Sequence, residues 1–249
     1  MTLYLKWLGV DFGQCIMDPR GLRNPLVFND IMKELGRPEE IAMRIHRYHR
    51  MKEKYLTYSI IKEGHKDEIL DFVFDGDEEA MQIFSRKEQE ELMVAEGLEE
   101  ALQYLRSEGI ICDVVSELKK TLGPVGTDVI TTFLERKGII KYFDYFYSPQ
   151  GKLNLGDNSI DFGVKGKDKA LGTMYDYLVE DLAKRGIKVG EAAMVGDKLT
   201  TDIEQPRKRG FHTIQFTGYI DMGLSEYAEY RVHSFLELKD LIKGVDKQT

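Results

Sequence analysis

Hydrophobic residues along this chain fall into two alternating kinds of run. Leu5–Val10, Ile110–Val115, Tyr142–Tyr147, Ala192–Val195 and Thr213–Phe216 are short and nearly uninterrupted, the pattern of strands buried on both faces. Between most of them, apolar residues recur at helical spacing. In EGLEEALQYLRSEG, the residues Leu98, Ala101, Leu102 and Leu105 fall on one helical face, and Gly109 ends the pattern. Similar helices are expected over Asp128–Lys137, Lys169–Arg185 and Thr200–Arg209, with a last one around Phe235–Lys243. Strand, helix, strand in repetition predicts an α/β domain whose parallel sheet is covered on both faces.

One interval breaks the rhythm. From about Leu22 to Lys87 the pattern is helical throughout, clearest in PEEIAMRIHRYHRMKEKY, and more than a crossover has been inserted after the first strand. The expected organisation is a core of residues 1–20 and 88–249 with a small helical subdomain at 21–87. No internal repeat or low-complexity tract interrupts it.

Composition narrows the function classes. With 43 acidic against 35 basic residues the formal charge is −8, which argues against general affinity for nucleic acid or for an anionic membrane. No apolar run has the length of a membrane span, and MTLYLKWLGV lacks the parts of a signal peptide, so a cytoplasmic location is expected. Cys15 and Cys112 sit in apolar stretches, without disulfide or zinc spacing. DFVFDGDEEAMQ fails as a calcium loop, because its third and twelfth positions are Val73 and Gln82. GVKGKDK lacks the spacing of a P-loop.

Ligands of open α/β sheets bind outside the carboxyl ends of the strands. The first strand delivers Asp11 there, the second Ser116, and the fourth Asp197, with Asp202 five residues on. Lys165, Lys167 and Lys169 precede the long helix pattern near residue 170. Three carboxylates offer hard oxygen ligands to Mg²⁺, and a hydroxyl with an ammonium suits a phosphate group. A single carboxylate after a strand is ordinarily a helix N-cap; the ordered combination is far more specific.

That order, together with VGDKLTTDIEQPRKRGFHTIQF, resembles the haloacid dehalogenase superfamily of phosphohydrolases. The resemblance implies a Rossmann-like parallel-sheet core, a mobile helical cap in the insertion, and a small phosphorylated molecule as substrate. It also implies that Asp11 is a nucleophile forming an aspartyl-phosphate, with Ser116 and a lysine holding the phosphoryl oxygens. Lys167 is the preferred lysine, since it precedes a candidate helix cap at Asp168; Lys165 comes next, and Lys169 is expected within the first helical turn. Mg²⁺ would be held by Asp11, the Gly13 carbonyl and Asp197, with Asp202 acting through water.

The resemblance fails at one important position. The family's first motif reads Asp-x-Asp-Gly-Thr, whereas this chain reads DFGQC, and Asp18 supports an ungapped alignment. Gly13 therefore stands where the general acid/base belongs, a group worth about 10²–10⁴-fold in rate. A good leaving group would tolerate the loss, as would a proton from the substrate or from His46, His49 or His65 of the cap. Glu117, beside Ser116, either faces solvent or is a substitute donor. Two other readings stay open: a phosphonate C–P hydrolase using Lys33, Lys52 or Lys54 as a Schiff base, and a non-catalytic phosphate- or partner-binding descendant. Dehalogenase chemistry conflicts with the acidic pair Asp197 and Asp202. The basic run Arg44, Arg47, Arg50, Lys52 and Lys54 is read as a solvated helix face or as a contact for an anionic substrate. Pro206 is expected to kink the last motif's helix or to shift Asp202. YSPQGKLNLGDNSIDFG is expected to form a hairpin or loop near the site.

Overall fold

The computed structural model describes residues 2–18, 26–55, 71–117, 122–219 and 221–247. It forms two compact units, Met1–Asp18 with Val94–Thr249, and Pro19–Met93. In the smaller unit the described helices include α1 (Leu26–Glu34), α2 (Ile41–Tyr55) and α3 (Glu78–Glu91). The Phe28 ring lies against Tyr48, Phe74 and Phe84, at centroid distances of 5.1, 5.8 and 5.8 Å. Removing this much aromatic surface from water is what holds three short helices together.

In the larger unit the first apolar run is broken at Lys6 into β1 (Leu3–Leu5) and β2 (Trp7–Val10). The Lys6 backbone donates to Glu191 O at 2.8 Å and accepts from Ile111 N at 2.9 Å. β2 is the central strand, parallel to β5 (Ile111–Val115) on one side and β9 (Ala192–Gly196) on the other. Beyond β9 lie β10 (His212–Phe216) and β11 (Tyr230–Val232); beyond β5 lies β6 (Tyr145–Ser148). All of these pairings are parallel. β7 (Gly151–Asn154) and β8 (Ile160–Asp161) extend the edge antiparallel, completing eight strands. YSPQGKLNLGDNSIDFG thus forms a hairpin at the sheet edge, closed by Pro149 and Gln150 between the paired residues Ser148 and Gly151. β3 (Met17–Asp18) and β4 (Met93–Val94) form a separate ribbon.

The helices follow the expected faces with shifted ends. α4 (Leu98–Ser107) buries Leu98, Ala101, Leu102 and Leu105, with Glu99 and Glu100 at its positive end and Arg106 at its negative end. α5 (Val129–Arg136) is capped by Asp128, which accepts from Ile130 N and Thr131 N. α6 (Thr173–Lys184) begins four residues later than expected, because Gly172 at φ 76° interrupts the chain immediately before it. At the carboxyl end, the expected helix reduces to a tight turn at Phe235–Glu237 and a short helix at Leu238–Leu241. Ile242–Gly244 is instead strand β12, paired with β1; apolar alternation alone does not separate so short a strand from a helical turn.

Trp7, Tyr175 and Phe211 meet in the core, with ring centroids about 6 Å apart (5.9 and 6.0 Å). Trp7 Nε1 donates to the buried Asp113 carboxylate at 2.5 Å, and the Arg185 guanidinium pairs with it at 2.8 Å. Burial raises the Asp113 pKa, and these partners oppose the rise. Among the described residues no helix is long and apolar enough to cross a membrane.

Candidate active site

Asp11 follows β2, and its N–H is held by Val195 O on β9 at 3.0 Å. Ser116 follows β5, with its N–H on Tyr147 O at 2.9 Å, and Asp197 follows β9. These three strand ends are adjacent in the sheet, so its topology brings together residues more than a hundred positions apart. Asp11, Ser116, Asp197 and Asp202 are all buried.

The lysine that joins them is Lys169, not the favoured Lys167. Its ammonium donates to Asp11 Oδ1 at 2.7 Å and Val115 O at 3.2 Å, and pairs with Asp202 Oδ1 at 2.5 Å. Lys165 is exposed and Lys167 half-buried. Asp168 does cap, but it caps a turn: its carboxylate accepts from Ala170 N and Leu171 N at 2.7 and 3.1 Å. This turn separates Lys169 from α6. Left-handed Gly172 was the sequence signal that the helix starts late.

Asp202 is held from several directions. Its Oδ2 accepts from Lys198 N at 3.1 Å, and its Oδ1 accepts from Thr201 Oγ1 at 3.3 Å as well as facing Lys169. Leu199–Glu204 is a wide π-helical turn in which Gln205 N reaches back to Thr200 O. The next donor in that register would be Pro206, which has no N–H, and the Tyr175 hydroxyl instead donates to Thr201 O at 2.7 Å. Pro206 thus marks a change of helical register into Gln205–Arg207, in place of the expected kink in one continuous helix. Gly196 supplies the space: a Cβ there would lie 2.5 Å from Asp202 Cβ.

Close packing of acids sets the electrostatics. Burial and then Asp202 push the Asp11 pKa up to about 6, against Lys169 and Lys198. Burial, Asp11 and Asp202 push Asp197 up to about 8. Burial alone would lower Lys169, but Asp11 and Asp202 overcome it and hold its pKa well above the ordinary lysine value. The site is short of positive charge. One ligand oxygen from each of Asp11, Asp197 and Asp202 lies within 4.8 Å of the others, and Asp197 Oδ1 is buried with no hydrogen-bond partner among the described residues. An orphaned hard oxygen in an acidic cluster fits a divalent cation such as Mg²⁺.

Gly13 carries no side chain, and a Cβ added there meets nothing within 4 Å among the described residues. Gln14 adopts φ 61°, unusual for a residue with a side chain, and its Oε1 is buried without a partner among the described residues. Neither feature of Gln14 was signalled by hydrophobic pattern. Of the other donors considered, His46, His49 and Lys33 are exposed on the smaller unit, whereas His65 and the side chains of Lys52 and Lys54 lie outside the described residues. The basic run is partly neutralised: Arg44 pairs with Glu40 at 2.5 Å and Arg47 with Asp75 at 2.9 Å.

This mostly parallel sheet, with its acidic strand ends, has the fold of the HAD-superfamily hydrolases. The Bacillus subtilis protein YfnB, described as a HAD-hydrolase bound to magnesium, aligns over 95% of this chain and 98% of its own, with TM-score 0.61 and 16% identity. A HAD phosphatase from Thermococcus onnurineus aligns over 95% and 97%, with TM-score 0.55 and 21% identity. A dehalogenase solved with an intermediate complex aligns over 98% and 99%, with TM-score 0.58 and 17% identity. In sequence, the chain is 34% identical over 116 residues to the glyceraldehyde 3-phosphate phosphatase of Methanocaldococcus jannaschii, a match spanning 46% of this chain and 44% of that protein. No family model matches the chain.

Proposed function

We propose that this protein is a Mg²⁺-dependent phosphohydrolase acting on small phosphorylated molecules. The observation that carries the reading is Lys169 bridging Asp11 and Asp202, with Asp197 clustered beside these two acids at the carboxyl edge of the sheet. Asp11 is the nucleophile. Lys169 orients its carboxylate and offers positive charge to phosphoryl oxygens. The Ser116 hydroxyl is a further phosphoryl ligand, supplied by the adjacent strand. Asp197 and Asp11, with the Gly13 carbonyl, are the residues to hold the metal. Asp202 anchors Lys169 and the turn after β9. Bound Mg²⁺ supplies charge that offsets repulsion between an anionic nucleophile and an anionic substrate.

In the first half-reaction an Asp11 oxygen bonds to phosphorus as the bond to the leaving oxygen breaks. Water then displaces Asp11 and releases phosphate. The sequence similarity to a sugar-phosphate phosphatase and the structural similarity to HAD phosphatases support this reading. It is tested by phosphate release from acetyl phosphate, p-nitrophenyl phosphate and a sugar phosphate, with Mg²⁺ or EDTA. Turnover that requires Mg²⁺ and is lost in Asp11→Asn is expected. Full activity in Asp11→Asn would refute the nucleophile.

A further inference from the structure

Resting on the phosphohydrolase reading, we propose that Glu117 performs the proton transfers that Gly13 cannot. The strand ends β2, β5 and β9 and the turn after β9 deliver Asp11, Glu117, Asp197 and Asp202 to this edge. Asp11 and Asp202 are committed to Lys169, and Asp197 presents its orphaned oxygen to the metal position. Of these four described carboxylates, Glu117 is the one with neither commitment. It follows Ser116 directly, so it leaves the sheet beside a phosphoryl ligand. Its side chain keeps 27% exposure and pairs at 4.0 Å with Lys198, which follows Asp197.

β5 and β9 flank β2, so the Glu117–Lys198 pair links the two loops on either side of the nucleophile's strand. A leaving group departing from phosphorus opposite Asp11 must pass out at this edge of the sheet. At Gly13 itself the first loop presents no side chain, and among the described residues nothing lies within 4 Å of where its Cβ would be.

The proton bookkeeping closes over one turnover. As the phosphorus–oxygen bond to the leaving group breaks, its electron pair stays on the leaving oxygen, which takes the proton of the Glu117 carboxyl. In the second half-reaction the Glu117 carboxylate takes a proton from the attacking water. The water oxygen bonds to phosphorus, and the Asp11–phosphorus bond breaks to return the Asp11 carboxylate.

The test is kcat/KM for the full-length protein with Mg²⁺ across acetyl phosphate, p-nitrophenyl phosphate, phenyl phosphate and an alkyl phosphate. Wild type, Glu117→Gln, Glu117→Asp and Asp11→Asn are compared. kcat/KM reads only the transfer to Asp11, so the acid role appears as a loss in Glu117→Gln that grows with leaving-group pKa, reaching about 10²-fold for the alkyl ester. Glu117→Asp should recover part of that loss. An equal loss on every substrate, or no loss, would overturn the assignment while leaving the phosphohydrolase reading intact. A wild type with no Asp11-dependent turnover would overturn both.

Discussion

Lys169 donates to Asp11 Oδ1 at 2.7 Å from a side chain that is only 1% exposed, and it meets Asp202 at 2.5 Å on its other side. Removing the ammonium would leave two buried carboxylates facing each other, an arrangement that costs about 3–5 kcal/mol when one partner of a buried pair is lost. Lys169→Met is therefore expected to lower the melting temperature and to reduce turnover at least about 10²-fold, as for loss of a group stabilising transition-state charge. Lys167→Ala, two residues away, should stay within about twofold of wild type, since surface substitutions are usually near neutral. Parallel melting curves and kinetics decide the matter. Comparable losses in both variants would refute the assignment to Lys169.

Gly13 lies outside the left-handed backbone region, and none of the described residues fills the space around its missing Cβ. A carboxylate is therefore sterically admissible there. Where Glu117 transfers the proton as proposed, Gly13→Asp is expected to change kcat/KM for an alkyl phosphate by less than about threefold in the wild type, but to restore it by about 10²-fold in Glu117→Gln. The gain should shrink as the leaving group becomes more acidic. An alkyl phosphate rate that Gly13→Asp fails to restore in Glu117→Gln would show that a carboxylate at this position does not reach the leaving oxygen.

Asp11 and Asp197 have pKa values raised to about 6 and about 8, so protons compete with a metal at both. Mg²⁺ affinity should strengthen as pH rises from 5.5 through about 8, measurable by titration calorimetry. The metal-free protein follows the opposite course. A carboxyl with a raised folded-state pKa favours folding below its unfolded value of 3.8, and that contribution is lost as pH rises to about 6 for Asp11 and about 8 for Asp197. In EDTA the contribution of these two groups to the melting temperature should therefore decline between pH 5 and 8.5, and the Asp11→Asn, Asp197→Asn double variant should flatten the slope. If the slope is the same with and without the substitutions, the two carboxyls do not titrate in this range.

Much of this site was legible because Asp11, Ser116 and Asp197 each follow a buried strand. The runs ending at Val10, Val115 and Val195 fix where Asp11, Ser116 and Asp197 must emerge, whatever the helices do. Lys169 was harder to assign: three lysines lie within five residues, and only the turn at Asp168 and left-handed Gly172 determine which one faces inward. β11 and β12 were missed because strands of three residues carry too little alternation to stand out. The π-helical turn was equally hidden, since the sequence shows Pro206 but not the Tyr175 hydroxyl that replaces its absent donor.

Gly196 has no Cβ because Asp202 occupies that space; the added atom would lie 2.5 Å from Asp202 Cβ and 2.6 Å from its Cγ. Asp202 cannot withdraw freely, since Lys169, Lys198 N and Thr201 hold both its oxygens. Gly196→Ala should therefore cost about 1–3 kcal/mol through overpacking, and lower turnover by shifting the anchor of Lys169. Melting curves that match wild type would mean that the turn after β9 yields without penalty.

Gln14 tests whether backbone strain is stored beside Asp11, the proposed nucleophile. Its φ of 61° is one that glycine adopts freely and a side-chain-bearing residue does not, and its Oε1 is buried without a partner among the described residues. Both features cost stability, the backbone conformation alone about 1–2 kcal/mol. Gln14→Gly relieves both but adds conformational freedom to the unfolded chain, leaving an expected gain of about 1 kcal/mol. For a chain of this size that is a rise of roughly 2–4 °C in melting temperature. A rise accompanied by slower turnover would show that the strained amide serves the reaction. A rise with unchanged kinetics would mean that the strain is incidental. A lower melting temperature would show that the Gln14 side chain makes contacts worth more than the conformation costs.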